Sequence, residues 1–328
     1  MFRAMKISKT LFALSILMIL SACDTTGKGE PNFLAPEANI SPSSPSVNDR
    51  LALETGLEKI VYKVGPVDLP TGMQVEEMLT KPIVMNFQTD KPMWVVGFLP
   101  KMVDAKGNEL PAELLHLAVI SNLHEDNPLC KDAGDGNPFA AATSMLREIN
   151  LPAGFGYPVL KSDPLRMKII LKNQTAEAFS DVYFELAMLI RPMDGFAELK
   201  DVKPLLVELD PCNHDTMSVA PGKFIEMTAT YDMPLGASLV VAHAILGDFG
   251  SSVELSSGDN PEPFWLAEAT TDENRKIVKL EGDPFVDSNG VTFKAGDSIT
   301  MNVTYDNFSD EWLNSAPAAA MIYLVPES

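Results

Sequence analysis

Histidine and cysteine are the scarce residues of this 328-residue chain, with four of the first and three of the second. A centre built on imidazole or thiolate therefore has few donors to draw on, and no His-x-His or His-His pair exists to seed one. Also missing are a Gly-x-Ser-x-Gly elbow, a phosphate-cradling glycine loop and a His-Glu-x-x-His helix. Positive charge is short as well: 25 Lys and Arg stand against 45 Asp and Glu, a formal charge of −20. No basic cluster offers itself, which argues against nucleic acid or anionic lipid headgroups as direct partners. The acids are spread along the chain, a pattern that favours solubility and singles out no general acid–base pair. Helical spacing of any length is nearly absent from the body.

What is present begins with the leader. Arg3, Lys6 and Lys9 precede an apolar run from Leu11 to Leu20, and Ser21-Ala22-Cys23 follow. So short an apolar run with a small-residue exit predicts an export signal and not a membrane-spanning helix. Leu20-Ser-Ala-Cys23 resembles the lipobox of bacterial lipoproteins, which implies that Cys23 becomes the lipidated N-terminus. The alternative is an ordinary cleaved signal with a chance cysteine. Losing residues 1–22 removes three cations, so the mature chain is more acidic still. Pro31 to Asp49 is rich in Pro, Ser and Asn, too polar to fold alone, and predicts a tether. With Cys23 set aside, Cys130 and Cys212 remain, and an oxidising compartment predicts a disulfide between them.

The body of roughly 280 residues has room for two medium domains. Short apolar runs recur between turn residues, among them Ile83–Phe87, Met93–Phe98, Leu114–Ile120, Met167–Leu171, Leu239–Ile245 and Ser298–Tyr305. Strong turn signals separate them, including Asp104-Ala-Lys-Gly107 and Asp287-Ser-Asn-Gly290. Many short, evenly spaced strands with abundant Pro and Gly predict antiparallel sandwiches. Helix is expected only in pieces, at Gln74–Leu79 and Ala140–Glu148. The expected division is a signal at 1–22, lipidated cysteine and tether at 23–50, and sandwiches at 51–195 and 196–328.

Candidate chemistry rests on single residues. His243 stands near the exit of the run Ser238–Leu246, ahead of a Gly247-Asp-Phe-Gly250 turn, a place where β-sandwiches often hold a metal. His116 lies among apolar neighbours in Leu114–Ile120, where a satisfied core histidine is the plainer reading. His124 and His214 fall in polar stretches and are expected in solvent. Asp132-Ala-Gly-Asp-Gly136-Asn137 lacks the closing glutamate of a calcium loop, so a polar turn is the simpler reading. Seventeen methionines are mostly spread through strand-like runs, as core filler would be.

Several of these segments, taken in order, resemble the two-domain copper type II, ascorbate-dependent monooxygenases, the peptidylglycine hydroxylase and dopamine monooxygenase group. Leu114–Ile120 is similar to that family's His-His strand, and Leu151-Pro-Ala-Gly-Phe-Gly-Tyr-Pro158 to its Leu-Pro-x-Gly-x-Gly segment. Ile169-Ile-Leu-Lys-Asn173 is similar to the strand ending in His-Tyr-x-Asn. In the second half, Val240–Gly250 resembles the His-x-His-Asp-Tyr-Gly strand and turn. Phe293–Asp297, Thr304–Asn307 and Ala320–Pro326 resemble the closing segments that bring in a methionine ligand. The resemblance implies two jelly-roll domains and copper sites from which most donors are missing. Leu115 stands beside His116 in place of the paired histidine, and Ile170 falls on the third ligand. Matching the Gly247–Gly250 turn puts Ile245 and Gly247 on the second-domain histidines, whereas shifting the register makes His243 one ligand. Met321 keeps its context.

The resulting expectation is an all-β chain of two consecutive antiparallel β-sandwich, jelly-roll-like domains, anchored to a bacterial envelope membrane through Cys23. The leading functional expectation is a non-catalytic scaffold or binding module, with an envelope protein as candidate partner and no cofactor. One alternative is a copper protein or monooxygenase with a reduced site on His116, His243 and Met321. Another is a carbohydrate- or peptide-binding sandwich using Trp94, Trp265 or Trp312. A cleft lined by His116, His243 and Met321 is expected between the sandwiches.

Overall fold

In the computed structural model the described residues are 57–327 except 80, 131–133, 194–198, 211–216, 259 and 261, plus the backbone of Phe33–Leu34. The leader, Cys23, the tether, Cys212 and His214 lie outside them. Nearly every described element is a strand.

The first eight main strands are β1 (Glu58–Leu69), β2 (Ile83–Phe87), β3 (Met93–Val103), β4 (Leu115–Asn122), β5 (Asn137–Ala142), β6 (Phe155–Val159), β7 (Leu165–Leu171) and β8 (Phe179–Pro192). One sheet runs β1-β8-β3-β6 and the other β2-β7-β4-β5. Two four-stranded sheets whose order interleaves early and late strands are a jelly roll. Aromatic rings fill its inside, with Tyr62 on Phe87 at 4.3 Å and Phe139 stacked on Tyr157 at 4.7 Å between centroids.

The second group is β9 (Lys203–Glu208), β10 (Lys223–Asp232), β11 (Ala237–Leu246), β12 (Gly250–Ser257), β13 (Trp265–Thr271), β14 (Ile277–Glu281), β15 (Phe285–Phe293), β16 (Ser298–Asn307) and β17 (Ala318–Pro326). Its sheets run β9-β17-β11-β15 and β10-β16-β12-β13-β14. With β14 set aside as an added edge, the order repeats that of the first roll strand for strand. The chain is therefore all-β and built of two jelly rolls.

Local sequence explains the elements. In β16 burial alternates residue by residue, with Ile299, Met301, Val303, Tyr305 and Asn307 turned inward, the period of a strand with one wet face. β11 is apolar except for Ser238 and His243, and all but Ser238 of its residues are buried. Both its faces are covered: Ala242, Ala244 and Leu246 enter the second core, while Val241 and Ile245 join the first. Ala319, Met321 and Tyr323 on β17 do the same, so the core of the first roll continues into the outer face of a second-roll sheet. Polar bonds cross here too, from Tyr323 Oη to the Phe139 carbonyl (3.0 Å) and from Asn137 Nδ2 to that of Pro204 (3.4 Å).

Two local expectations are corrected. Helix was expected at Ala140–Glu148, yet the alanines there belong to β5, paired with β4 from Ala118–Ala142 to Asn122–Asn137. All six β5 residues are buried, and that burial overrides the helical preference of alanine. The Asp287–Gly290 signal does not separate strands. It bulges out of β15, where register against β11 jumps from Leu239–Val291 to Val241–Val286, and Gly290 there takes φ +71°. The expected helix at Gln74–Leu79 is a single turn, Val75–Leu79.

Each roll closes with the same device. Asn173, just past β7, donates from Nδ2 to the carbonyls of Leu69, Pro70 and Glu177, while its Oδ1 accepts from Thr175. Asn307, ending β16, donates to Val219, Ala220 and Glu311 and accepts from Ser309. Both asparagines are fully buried. Each satisfies carbonyls that the strand-to-strand connections would otherwise bury unpaired.

Candidate functional site

The residues singled out from sequence converge on the junction of the two rolls but not on one point. His243 lies on β11 directly opposite Met321 of β17. The side chains of directly opposed residues share a sheet face, here the face of Val241 and Ile245 that is turned to the first roll. His243 is 3% exposed and Met321 is fully buried. Neither imidazole nitrogen of His243 has a hydrogen-bond partner. The nearest charge is Asp283, whose Oδ2 stands 3.9 Å from Nδ1 while its Oδ1 accepts the Ala244 N–H at 2.8 Å.

His116, on β4, faces a different neighbour. Its Nε2 lies 3.1 Å from the Ser315 carbonyl, and since a carbonyl only accepts, Nε2 carries the hydrogen. Burial, and then the nearby Lys172 ammonium, pushes its pKa down to about 4, so the ring is neutral near pH 7. Lys172 itself crosses the junction to Asp248 (3.5 Å), and Asp248 Oδ1 accepts the Ile277 N–H. Asp248 belongs to the Gly247–Gly250 arch joining β11 to β12, strands of opposite sheets. Tyr305 fixes that arch by accepting from Gly247 N–H (2.9 Å) and donating to the Pro317 carbonyl (2.6 Å). A Cβ at Gly247 would stand 2.7 Å from Pro317 Cδ, so the close approach requires glycine.

The other candidates are dispersed. His124 keeps 75% of its side chain exposed, with Nδ1 3.5 Å from Asp163. Asp135, of the calcium-like loop, is paired with Arg166 at 2.8 Å. Cys130 is buried behind the Asn127 turn, and its expected partner Cys212 lies outside the described residues. Trp94 and Trp265 are buried; Trp312 is 59% exposed and Phe308, four residues before it, 61%.

A type II copper centre needs two or three convergent donors with space for an exchangeable ligand. What the structure places together is one imidazole and one thioether, both shut from solvent, with a partly buried carboxylate nearby, while His116 is committed elsewhere. Among the described residues no three His, Cys, Asp or Glu side chains gather as a metal site. The donor set does not fit a redox copper centre.

The cavity at the junction is not the expected one, since none of His116, His243 and Met321 lines it. It encloses about 270 Å³ between the rolls. Leu117 forms its first-roll wall; Leu206, Met217, Met227, Ile245 and Ala318 supply apolar walls from the second. Glu208, Asp210 and Thr228 are its polar members. Neither His243 nor Met321 reaches it, because both point into packed core. A buried network also escaped the sequence reading. Tyr157 Oη donates to Glu125 and accepts from Asn122, whose amide also reaches Asp163. Lys203 closes on Glu125 at 3.8 Å. These polar residues pair only through folding, and no local pattern marks them.

No protein-family model matches the chain, and no curated protein matches it. Among solved structures it is similar to the glycosylasparaginase PNGase F of Flavobacterium meningosepticum, at 7% identity and a TM-score of 0.39, over 83% of this chain and 97% of that one. It is also similar to the STIV MCP, at 11% identity and a TM-score of 0.35, over 82% and 97%. At such TM-scores neither likeness adds to the fold read from strand order.

Proposed function

We propose that the chain is a non-catalytic binding module, a lipoprotein carried on a bacterial envelope membrane through Cys23. The observation that carries the reading is the dispersal of its candidate donors: His116 is bonded to a carbonyl, and His243 and Met321 are sealed in core. A cleft between the rolls remains as the place for a ligand or an envelope partner. The lipobox-like Leu20–Cys23 and the polar tether support the anchor, and a Cys130–Cys212 disulfide belongs to the same reading. The body is then the monooxygenase-like scaffold without its redox centres, fold and activity being separable. The two unpartnered nitrogens of His243 favour a second reading, one copper ion held weakly beside Met321.

Titration of the purified protein with Cu(I) and Cu(II), alongside His116→Ala and His243→Ala, separates the two. The binding-module reading expects no uptake beyond that of an unrelated acidic protein. Stoichiometric uptake abolished by His243→Ala would overturn it. Mass analysis of membrane fractions tests the anchor, expecting a diacylglycerol adduct that Cys23→Ala abolishes. Non-reducing peptide mapping tests the disulfide.

A further inference from the structure

The closing brackets of the two rolls match in their bonds but not in what they show to solvent. Counting from Asn173, the exposed second and sixth residues of the first bracket are Gln174 and Ala178. Counting from Asn307, the same places hold Phe308 and Trp312, 61% and 59% exposed. The bracket itself therefore asks for neither ring. Phe224, 60% exposed, stands at the same end of the sheet, directly opposite Asp306. No other phenylalanine or tryptophan side chain among the described residues is as exposed. The strands leading to the brackets diverge in the same way. The buried residues of β7 and β16 agree in kind, from Leu165 and Ile299 to Leu171 and Tyr305. Where β7 turns outward Arg166, Lys168 and Ile170, β16 has Thr300, Asn302 and Thr304. Thr230 and Thr228 of β10 bond across to Thr300 (2.9 Å) and Asn302 (2.7 Å), so a lane of short uncharged polar groups runs up to the aromatic end. Glu226, Asp306, Asp310 and Glu311 border the rings, against Lys223 and Arg275, whose guanidinium lies 4.8 Å over Phe308.

We propose that this end of the second roll binds a neutral polysaccharide, its sugar rings laid on Trp312, Phe308 and Phe224 and its hydroxyls bonded to the polar lane. Rigid aromatic side chains offer wide apolar contact at low entropic cost. A pyranose ring presents an apolar C–H face together with hydroxyls, the combination that rings beside Thr304 and Glu226 would recognise. Carboxylates outnumber cations around the rings, so an acidic chain would be repelled. Entry into a bilayer would take Asp310 and Glu311, which lie between the rings in sequence, out of water. A protein partner would bury the same carboxylates in the core of an interface, where charged residues are depleted.

This inference rests on the binding-module reading and places the site away from the cleft. It is tested by electrophoresis of the full-length protein, in detergent, through native gels holding laminarin, hydroxyethyl cellulose, galactomannan, pullulan or the acidic alginate. Retardation is expected in at least one neutral gel and not in alginate. Phe308→Gln with Trp312→Ala gives the second bracket the residues of the first, and should weaken the retardation at least about tenfold while the protein still melts cooperatively. Leu160→Ala, at an exposed apolar residue of the first roll, should leave it unchanged. Retardation that survives the double variant would overturn the site, and equal retardation in alginate would overturn the neutral class. No retardation in any gel would overturn the proposal while the copper titration still judged the wider reading. Phosphatidylcholine vesicles that capture the Cys23→Ala chain through the same two rings would then assign them to the bilayer, and a dimer dissociated by the double variant would assign them to a second copy.

Discussion

The two rolls share a strand order and an asparagine bracket, yet their histidines do not correspond. His116 sits on the fourth strand of its roll and His243 on the third strand of the other. Asn173-Gln-Thr-Ala-Glu177 and Asn307-Phe-Ser-Asp-Glu311 occupy the same place and make the same bonds. What the architecture repeats is therefore the device that closes a roll. What differs is the chemistry each roll brings to the junction: from the first a neutral imidazole and Lys172, from the second Asp248, a sealed histidine and the acids of the cleft. The junction is an asymmetric part of an otherwise repeated molecule.

The strongest test of the repeat is to remove its bracket. Asn307→Ala deletes three donated bonds and leaves buried carbonyls unpaired, an expected loss of about 3–5 kcal/mol. Asn173→Ala should cost a comparable amount. Chemical denaturation followed by tryptophan fluorescence, from Trp94 in the first roll and Trp265 and Trp312 in the second, reads both. A loss below about 1 kcal/mol in either variant would show that its bracket is incidental.

Next comes the asymmetry in protonation. His116 has a folded pKa of about 4 against an ordinary 6.5, so the unfolded chain takes up its proton first. Its contribution is whole above pH 6.5, declines as pH falls toward 4, and is lost below that. The linked amount is roughly 3 kcal/mol. His116→Gln should flatten stability between pH 6.5 and 4. An unchanged pH profile in His116→Gln would show that carboxylates alone set the acid slope.

A smaller effect is expected from the hydroxyl that ties the rolls together. Tyr323→Phe keeps the ring in the shared core and removes only the bond to the Phe139 carbonyl. The expected cost is about 1–2 kcal/mol, with little change for Tyr62→Phe, whose hydroxyl is buried without a hydrogen-bond partner. Equal losses in the two variants would mean that the bond across the junction adds nothing.

Much of this architecture was legible in the sequence because strands that wet one face write their period plainly, as β16 does. The six buried residues of β5 show no such alternation, and their alanines read as helix. Asp287–Gly290 carried a hairpin signal because a bulge uses the same turn chemistry. For the site, sequence singles out His116, His243 and Met321 together, and only His243 and Met321 stand opposite one another, because sequence does not say which face a strand buries against a neighbouring domain. The cleft was missed for that reason: its carboxylates lie next to one another in the chain, while Leu117 and Ala318 meet only when the rolls dock. The bracket had a readable signal, Asn-x-Ser/Thr-x-Glu at the end of a strand in each half, too short to be noticed before its bonds were seen.

The smallest effects separate ion pairs that cross the junction from those within one roll. Lys172 and Asp248 have side chains 14% and 30% exposed and join the rolls, whereas Lys91 and Glu58, about half exposed, lie within the first. Solvent screens the second pair almost fully, so Lys91→Met should change stability by less than about 0.5 kcal/mol at any salt concentration. Lys172→Met should cost about 1 kcal/mol, since partial burial strengthens the pair and its loss strands Asp248. It should also raise the pKa of His116, whose proton the Lys172 ammonium repels, an effect visible as an NMR titration displaced to higher pH. A His116 titration unmoved by Lys172→Met would show that burial alone holds the ring neutral.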